Sequence, residues 1–122
     1  MSKAKAKGTA AESAVVAYLR DHGWPNVERR AGRGELDAGD IAGLEGVVVE
    51  VKNHARLELA AWLDEAVRER TNARATIGVV IHKRKGTTDV GQWYCTMTTR
   101  EFAVMLHAAQ AGAAGVDQRE GE

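Results

Sequence analysis

Little in this chain can be cross-linked, and little of it can enter a membrane. Cys95 is the one cysteine in 122 residues, so no intrachain disulfide can form, and a reducing compartment is expected. No stretch approaches the ~20 apolar residues of a membrane span. The apolar run at 14–19 is too short for the core of a signal peptide, which points to the cytoplasm. Charge of one sign is missing too. Seventeen Lys and Arg balance seventeen Asp and Glu, so the total predicts no nucleic-acid partner. Proline is nearly absent, and Pro25 falls just past Gly23, where it marks the end of the first helix.

What is present is unevenly spread. Lys3, Lys5 and Lys7 crowd the start, Arg29, Arg30 and Arg33 form a second basic group, and Lys83, Arg84 and Lys85 a third. Acids gather at 57–72 and in 117–122. A neutral chain can therefore still present a basic face. The length suits one domain, placed at 1–112, with 113–122 read as a disordered tail.

The periodicity gives the elements. The first seven residues read as disordered. "TAAE" at 9–12 reads as a capping box, with Thr9 as N-cap and Glu12 at N3. The helix it opens carries Ala11, Ala14, Val15, Tyr18 and His22 at helical spacing and stops at Gly23. A short strand at 26–31 and a glycine-flanked loop at 32–35 follow. Residues 39–52 read as a hairpin. The helix at 57–72 has Leu59, Trp62, Leu63, Ala66 and Val67 on one face. "ATIGVVIH" at 75–82 is nearly all apolar, as a central strand is. A strand at 90–98 places Trp93, Cys95 and Met97 on one face. A second capping box, "TTRE" at 98–101, opens a last helix that is expected to bury Phe102, Met105, Leu106 and Ala109. The order is αβββαββα, an α/β fold on a mixed central sheet.

The hairpin holds the chemistry. A three-residue turn at Leu44, Glu45 and Gly46 pairs Gly43 with Val47, Ala42 with Val48, Ile41 with Val49 and Asp40 with Glu50. Opposed residues share a face, and strand alternation puts Lys52 beside Glu50. Val49 and Val51 then point into a core. Two carboxylates and an ammonium converge, and the carboxylates repel. A divalent cation resolves that repulsion. Mg²⁺ takes oxygen ligands and often only one or two carboxylates, and such an ion supplies hydroxide and transition-state charge. Lys52 is placed to position the water or to steady charge on a phosphate.

Asp40, nine intervening residues and then Glu50-Val51-Lys52 resemble the PD-(D/E)xK nuclease motif. The order αβββαβ is similar to that superfamily's restriction-endonuclease-like core, with an extra strand and a C-terminal helix added. Within it the chain looks most like the Holliday junction resolvases of archaea and phages, on Glu12 of the first helix and on Arg29 and Arg30 before the aspartate. The resemblance covers roughly residues 7 to 83. It implies that Asp40 and Glu50 bind Mg²⁺ (Mn²⁺ as a substitute) with the Val51 carbonyl, and that Lys52 is the catalytic lysine. It also implies Glu12 as a second-metal or water-held ligand, in a bacterial, archaeal or phage-encoded protein. Gly39 stands where the motif has proline, so Asp37 is a rival for the aspartate. It lies on the opposite pleat parity of a regular strand, and Asp40 is preferred.

Arg33 and the Lys83–Arg84–Lys85 turn are candidates for phosphate contacts, with Arg29 and Arg30; such contacts position DNA without reading sequence. His54 reads as an exposed residue past a strand end, and His22, His82 and His107 show no ligand spacing. Trp62, Trp93 and Phe102 read as core. The expected function is structure-selective DNA cleavage of the junction-resolving type. Two symmetric cuts need two active sites, hence a homodimer. The alternatives are a repair or restriction-like nuclease on ordinary duplex and a non-catalytic DNA-binding module of the same fold.

Overall fold

An apolar strand with no polar face has to be covered on both sides, and β-strand 77–82 is. The computed structural model describes residues 2–30 and 38–120, so Arg33, Asp37 and the loop at 32–35 lie outside the described residues. In chain order the elements are α1 (Lys3–Asp21), β1 (Glu28–Arg29), β2 (Ile41–Ala42), β3 (Val47–Lys52), α2 (Leu59–Ala73), β4 (Ile77–His82), β5 (Tyr94–Thr96) and α3 (Thr99–Glu120). Among the described residues this is the order αβββαββα, a mixed α/β fold with three α-helices. β4 is central in a three-stranded sheet, β3-β4-β5. It runs parallel to β3 from Val47↔Ile77 to Lys52↔His82 and antiparallel to β5. The α2 crossover supplies the connection that a parallel pair requires. β1 and β2 form a separate antiparallel pair. Among the described residues, no helix is long and apolar enough to cross a membrane.

Strand alternation divides two cores. Val49, Val51 and Val79 pack with Ala11, Val15 and Val16 of α1, together with Val27 and Ile41. On the opposite face Val80 packs with Trp62 and Ala66 of α2. Val49 and Val51 thus enter a core as their spacing requires, and Glu50 and Lys52 face α2.

The hairpin ladder expected between β2 and β3 does not form. β2 pairs with β1, with Arg29 opposite Ile41, and in place of the Asp40–Glu50 register the Asp40 N–H donates to the Val49 carbonyl at 2.9 Å. The cause is local. Gly39 and Gly43 sit at φ +97° and +96° and leave only two extended residues between them. A Cβ on Gly43 would lie 2.7 Å from the Asn26 carbonyl oxygen. Proline, fixed near φ −65°, cannot adopt the Gly39 conformation, so the departure from the motif at this position is also a departure in backbone geometry.

Three further expectations are corrected. The first residues are helical: α1 begins at Lys3, and the Ser2 hydroxyl caps it by accepting the Lys5 N–H at 3.1 Å. Alternating Lys and Ala are strong helix formers, and Thr9 lies inside the helix instead of capping it. Val90–Gln92 is a single 3₁₀ turn, leaving β5 only three residues. Trp93 and Met97 pack on the α1-side core, whereas Cys95 is exposed.

The third correction is α3. It runs to Glu120, past Gly112, and its apolar residues are not its anchor. Phe102 is 47% and Leu106 42% exposed, while Glu101 is fully buried. Thr98 accepts the Glu101 N–H at 3.3 Å, as a capping box requires. The Glu101 carboxylate does not return to the cap. It accepts the Gly78 N–H of β4 at 2.8 Å and pairs with Arg70 of α2 at 2.9 Å. Removing one member of a buried ion pair costs about 3–5 kcal/mol. Urea unfolding of Glu101→Ala is therefore expected to show a loss of that order, with Phe102→Ser costing about 1 kcal/mol or less. The apolar pattern read alone predicts the reverse ranking.

Candidate functional site

The parallel pair β3–β4 ends with Lys52 beside His82, and in α/β sheets ligands bind outside the carboxyl ends of strands. A cleft of about 510 Å³ opens there, lined by Glu12, Asp40, Glu50, Val51, Lys52 and Glu65, with Lys7 on its wall. Four acids and two lysines thus meet in one place, although the ladder expected to bring Asp40 and Glu50 together is absent.

Each acid is held differently. Asp40 is 4% exposed, and its Oδ2 accepts the Val51 N–H at 2.8 Å. The edge of β3 therefore fixes this carboxylate through a backbone donor, in place of a cross-strand neighbour. Glu12 is buried on α1, with Oε1 3.2 Å from Arg29 Nε. The capping role that its sequence context suggested is gone, since the helix starts nine residues earlier, at Lys3.

Glu50 is the most constrained group. It is 2% exposed, and its Oε1 is buried with no hydrogen-bond donor. Burial, followed by contact with the carboxyl groups of Glu69 and Asp40, pushes its pKa up to about 12. A carboxyl in such surroundings holds a proton or needs a cation.

Lys52 supplies part of that charge. Its Nζ lies 3.1 Å from Glu65 Oε1 and 3.8 Å from Glu50 Oε2. Burial by itself pushes the Lys52 pKa down, but the hydrogen bond to Glu65 and the charges of Glu50, Glu65 and Asp40 outweigh it and the net shift is upward. Lys52 is an ammonium at neutral pH, a donor and not a base.

Carboxylate oxygens of Glu50, Glu65 and Glu69 lie within 4.8 Å of one another, so this buried cluster can hold a metal ion. An all-oxygen, multiply acidic donor set suits a hard cation. The sequence reading had Asp40, Glu50 and the Val51 carbonyl as the metal group and missed Glu65 and Glu69. Glu69 had a signal: with Trp62 and Ala66 it continues the buried face of α2 at helical spacing, where an acid needs a reason. Glu65, one turn before Glu69, follows from it.

The basic candidates divide. Lys83, Arg84 and Lys85 follow β4, and the Lys83 N–H donates to the Lys52 carbonyl at 3.0 Å. A second cleft of about 300 Å³ is lined by Lys7, His54, Lys83 and Lys85, and it shares Lys7, Asn53, His54 and Ala55 with the acidic one. Arg29 and Arg30 line neither cleft. Arg29 pairs with Glu12, and the Arg30 N–H donates to the Asp40 carbonyl at 2.9 Å. Lys7 was missed as a site residue because its segment read as disordered. Comparison with family models, with curated proteins and with solved structures finds no match to this chain.

Proposed function

We propose that this chain is a metal-dependent DNA endonuclease that hydrolyses phosphodiester bonds, selective for branched DNA such as four-way junctions and active as a homodimer. The observation that carries the reading is the cleft itself. Asp40, Glu50 and Lys52, the residues of the PD-(D/E)xK-like pattern, line it together with Glu12 and Glu65, and Lys7 joins it to a basic cleft. A carboxylate group that calls for a cation stands beside lysines suited to phosphates.

The metal is proposed to be Mg²⁺, with Mn²⁺ as a substitute, held by Glu50 with Asp40 and the Val51 carbonyl toward the sheet, and with Glu65 and Glu69 toward α2. When bound it supplies hydroxide near neutral pH and offsets charge on the phosphate. The Val51 amide fixes Asp40. Lys52, kept charged by its acidic neighbours, donates to the attacked phosphate or to the water beside it. Lys7, Lys83 and Lys85 hold flanking phosphates. One cleft per chain makes one cut, and the symmetric pair of cuts that resolves a junction requires two chains.

The test is incubation of the protein with a labelled four-way junction and a matched linear duplex, with and without Mg²⁺. Paired nicks are expected in the junction at protein concentrations that leave the duplex whole. Equal cutting of both assigns the cleft to a repair or restriction-like nuclease, and binding without cutting at any Mg²⁺ concentration assigns it to a DNA-binding module.

DNA affinity is expected to depend on salt despite the neutral total charge. Each neutralised phosphate contributes ~0.9 to the slope of log affinity against log salt. Replacing Lys83, Arg84 and Lys85 together with alanine is expected to lower the slope by about 2–3. Measurement between 50 and 200 mM salt, roughly the range over which such slopes are resolved, checks this; an unchanged slope places the turn away from DNA.

A further inference from the structure

Beyond the two clefts already described, a third of about 310 Å³ is lined by Leu57, His82, Lys83, Arg84, Lys85 and Tyr94. This volume is at the lower end for ligand pockets, about 300–1,000 Å³. It shares Lys83 and Lys85 with the basic cleft, so the three clefts are contiguous. Unlike the acidic cleft it has no acid in its lining, and unlike both neighbours it is lined by a tyrosine, Tyr94.

Four rings run in a row beneath it. His54 lies 5.5 Å from Trp62, Trp62 5.6 Å from His82, and His82 5.3 Å from Tyr94, between centroids. Trp62 and His82 are buried, which makes the row a rigid base. Tyr94 is 48% exposed and carries the Arg84 guanidinium 5.8 Å from its ring centroid. His82 is 6% exposed; its Nε2 meets Thr96 Oγ1 at 2.8 Å, and its Nδ1 is buried without a partner. A half-exposed aromatic ring, a planar cation against it and two further cations are the features that recognise a base and its phosphates.

We propose that this cleft binds one unpaired nucleotide of single-stranded or branched DNA, with the base stacked on Tyr94 and the phosphates held by Lys83, Arg84 and Lys85. The base has to be unpaired, because a pair inside a duplex does not present its face to a side chain. The inference rests on the nuclease reading only for its role: it would let the cleft at Glu50 act beside a distorted or branched position. The binding itself stands without cleavage.

The test is fluorescence anisotropy of a labelled oligothymidylate and of a duplex of equal length, at low salt in EDTA. The wild-type protein is expected to prefer the single strand. Stacking of one base on an aromatic side chain is worth about 1–3 kcal/mol, so Tyr94→Leu is expected to weaken single-strand binding about fivefold or more, with Tyr94→Phe close to wild type. If Tyr94→Leu binds as wild type does, or if Tyr94→Phe loses as much as Tyr94→Leu, the proposal is overturned. Arg84→Met decides the matter should Tyr94→Leu not fold. It is expected to weaken binding about threefold or more, and unchanged binding overturns the proposal. Cleavage by the wild type with Mg²⁺ is scored separately. Tyr94-dependent binding with no cleavage of any DNA sinks the nuclease reading alone, and cleavage without Tyr94-dependent binding sinks this one alone.

Discussion

Glu50→Gln is expected to abolish Mg²⁺-dependent cleavage and, in the metal-free protein, to raise the melting temperature by an amount that grows with pH. Burial, and then the neighbouring carboxyl groups of Glu69 and Asp40, raise the Glu50 pKa from its ordinary 4.5 to about 12. Between those values the folded chain keeps a proton that the unfolded chain releases. The contribution to stability is therefore fully present below pH 4.5 and falls as pH rises toward the folded value, with a limiting slope of about 1.4 kcal/mol per pH unit. Glutamine keeps the shape and has nothing to ionise, so the slope disappears. Mg²⁺ should stabilise the wild type, and more so at higher pH, because a ligand carboxylate has to lose its proton before binding. The glutamine variant should gain little. Thermal unfolding at pH 5, 7 and 9, with and without Mg²⁺, checks all of this. A variant that is less stable than wild type at each pH would mean that Glu50 is held as an ordinary ion-pair partner of Lys52.

Lys52→Ala has the opposite signature. Cleavage is expected to fall by about 10²-fold or more, the scale on which a single transition-state donor acts. The metal-free fold should weaken, since the alanine leaves Glu65 without the ammonium that lies 3.1 Å from it. Mg²⁺ should then raise the melting temperature of this variant by more than it raises that of the wild type, because the ion replaces a lost charge. Lys52→Met, which keeps most of the buried stem, separates packing from charge. If both variants retain cleavage, Lys52 acts as a structural counter-ion only. Rate and melting temperature thus move together in Lys52→Ala and apart in Glu50→Gln.

Much of this site was legible in the sequence because it depends on alternation. Apolar residues at 47, 48, 49 and 51 and charges at 50 and 52 fix which side chains share a face of β3, whatever β3 pairs with. The all-apolar 77–82 likewise marks the central strand. What was not legible depends on backbone freedom and on distant partners. The pairing of β2 turned on two glycines at positive φ, and the sequence shows a glycine without its dihedral. Asp40 still reaches the cleft, but through the Val51 amide and not through a ladder partner. α3 carried a clear apolar pattern, yet its buried anchor is Glu101, made acceptable by Arg70 and the Gly78 amide from elements far away in the chain. Glu65 and Glu69 escaped for the same reason, since an acid on a helix face is ordinary until a second acid from a strand faces it.

The carboxylates around Glu50 are proposed to bind a catalytic cation. The most direct measurement is a Mg²⁺ titration of four-way-junction cleavage by wild-type protein, Glu50→Gln and Lys52→Ala, with metal binding followed in parallel by isothermal titration calorimetry. Saturable, Mg²⁺-dependent nicking is expected from the wild type, loss of both binding and nicking from Glu50→Gln, and binding with nicking slowed about 10²-fold or more from Lys52→Ala. Binding of Mg²⁺ to Glu50→Gln with wild-type affinity, or cleavage that persists in EDTA, would contradict the proposal.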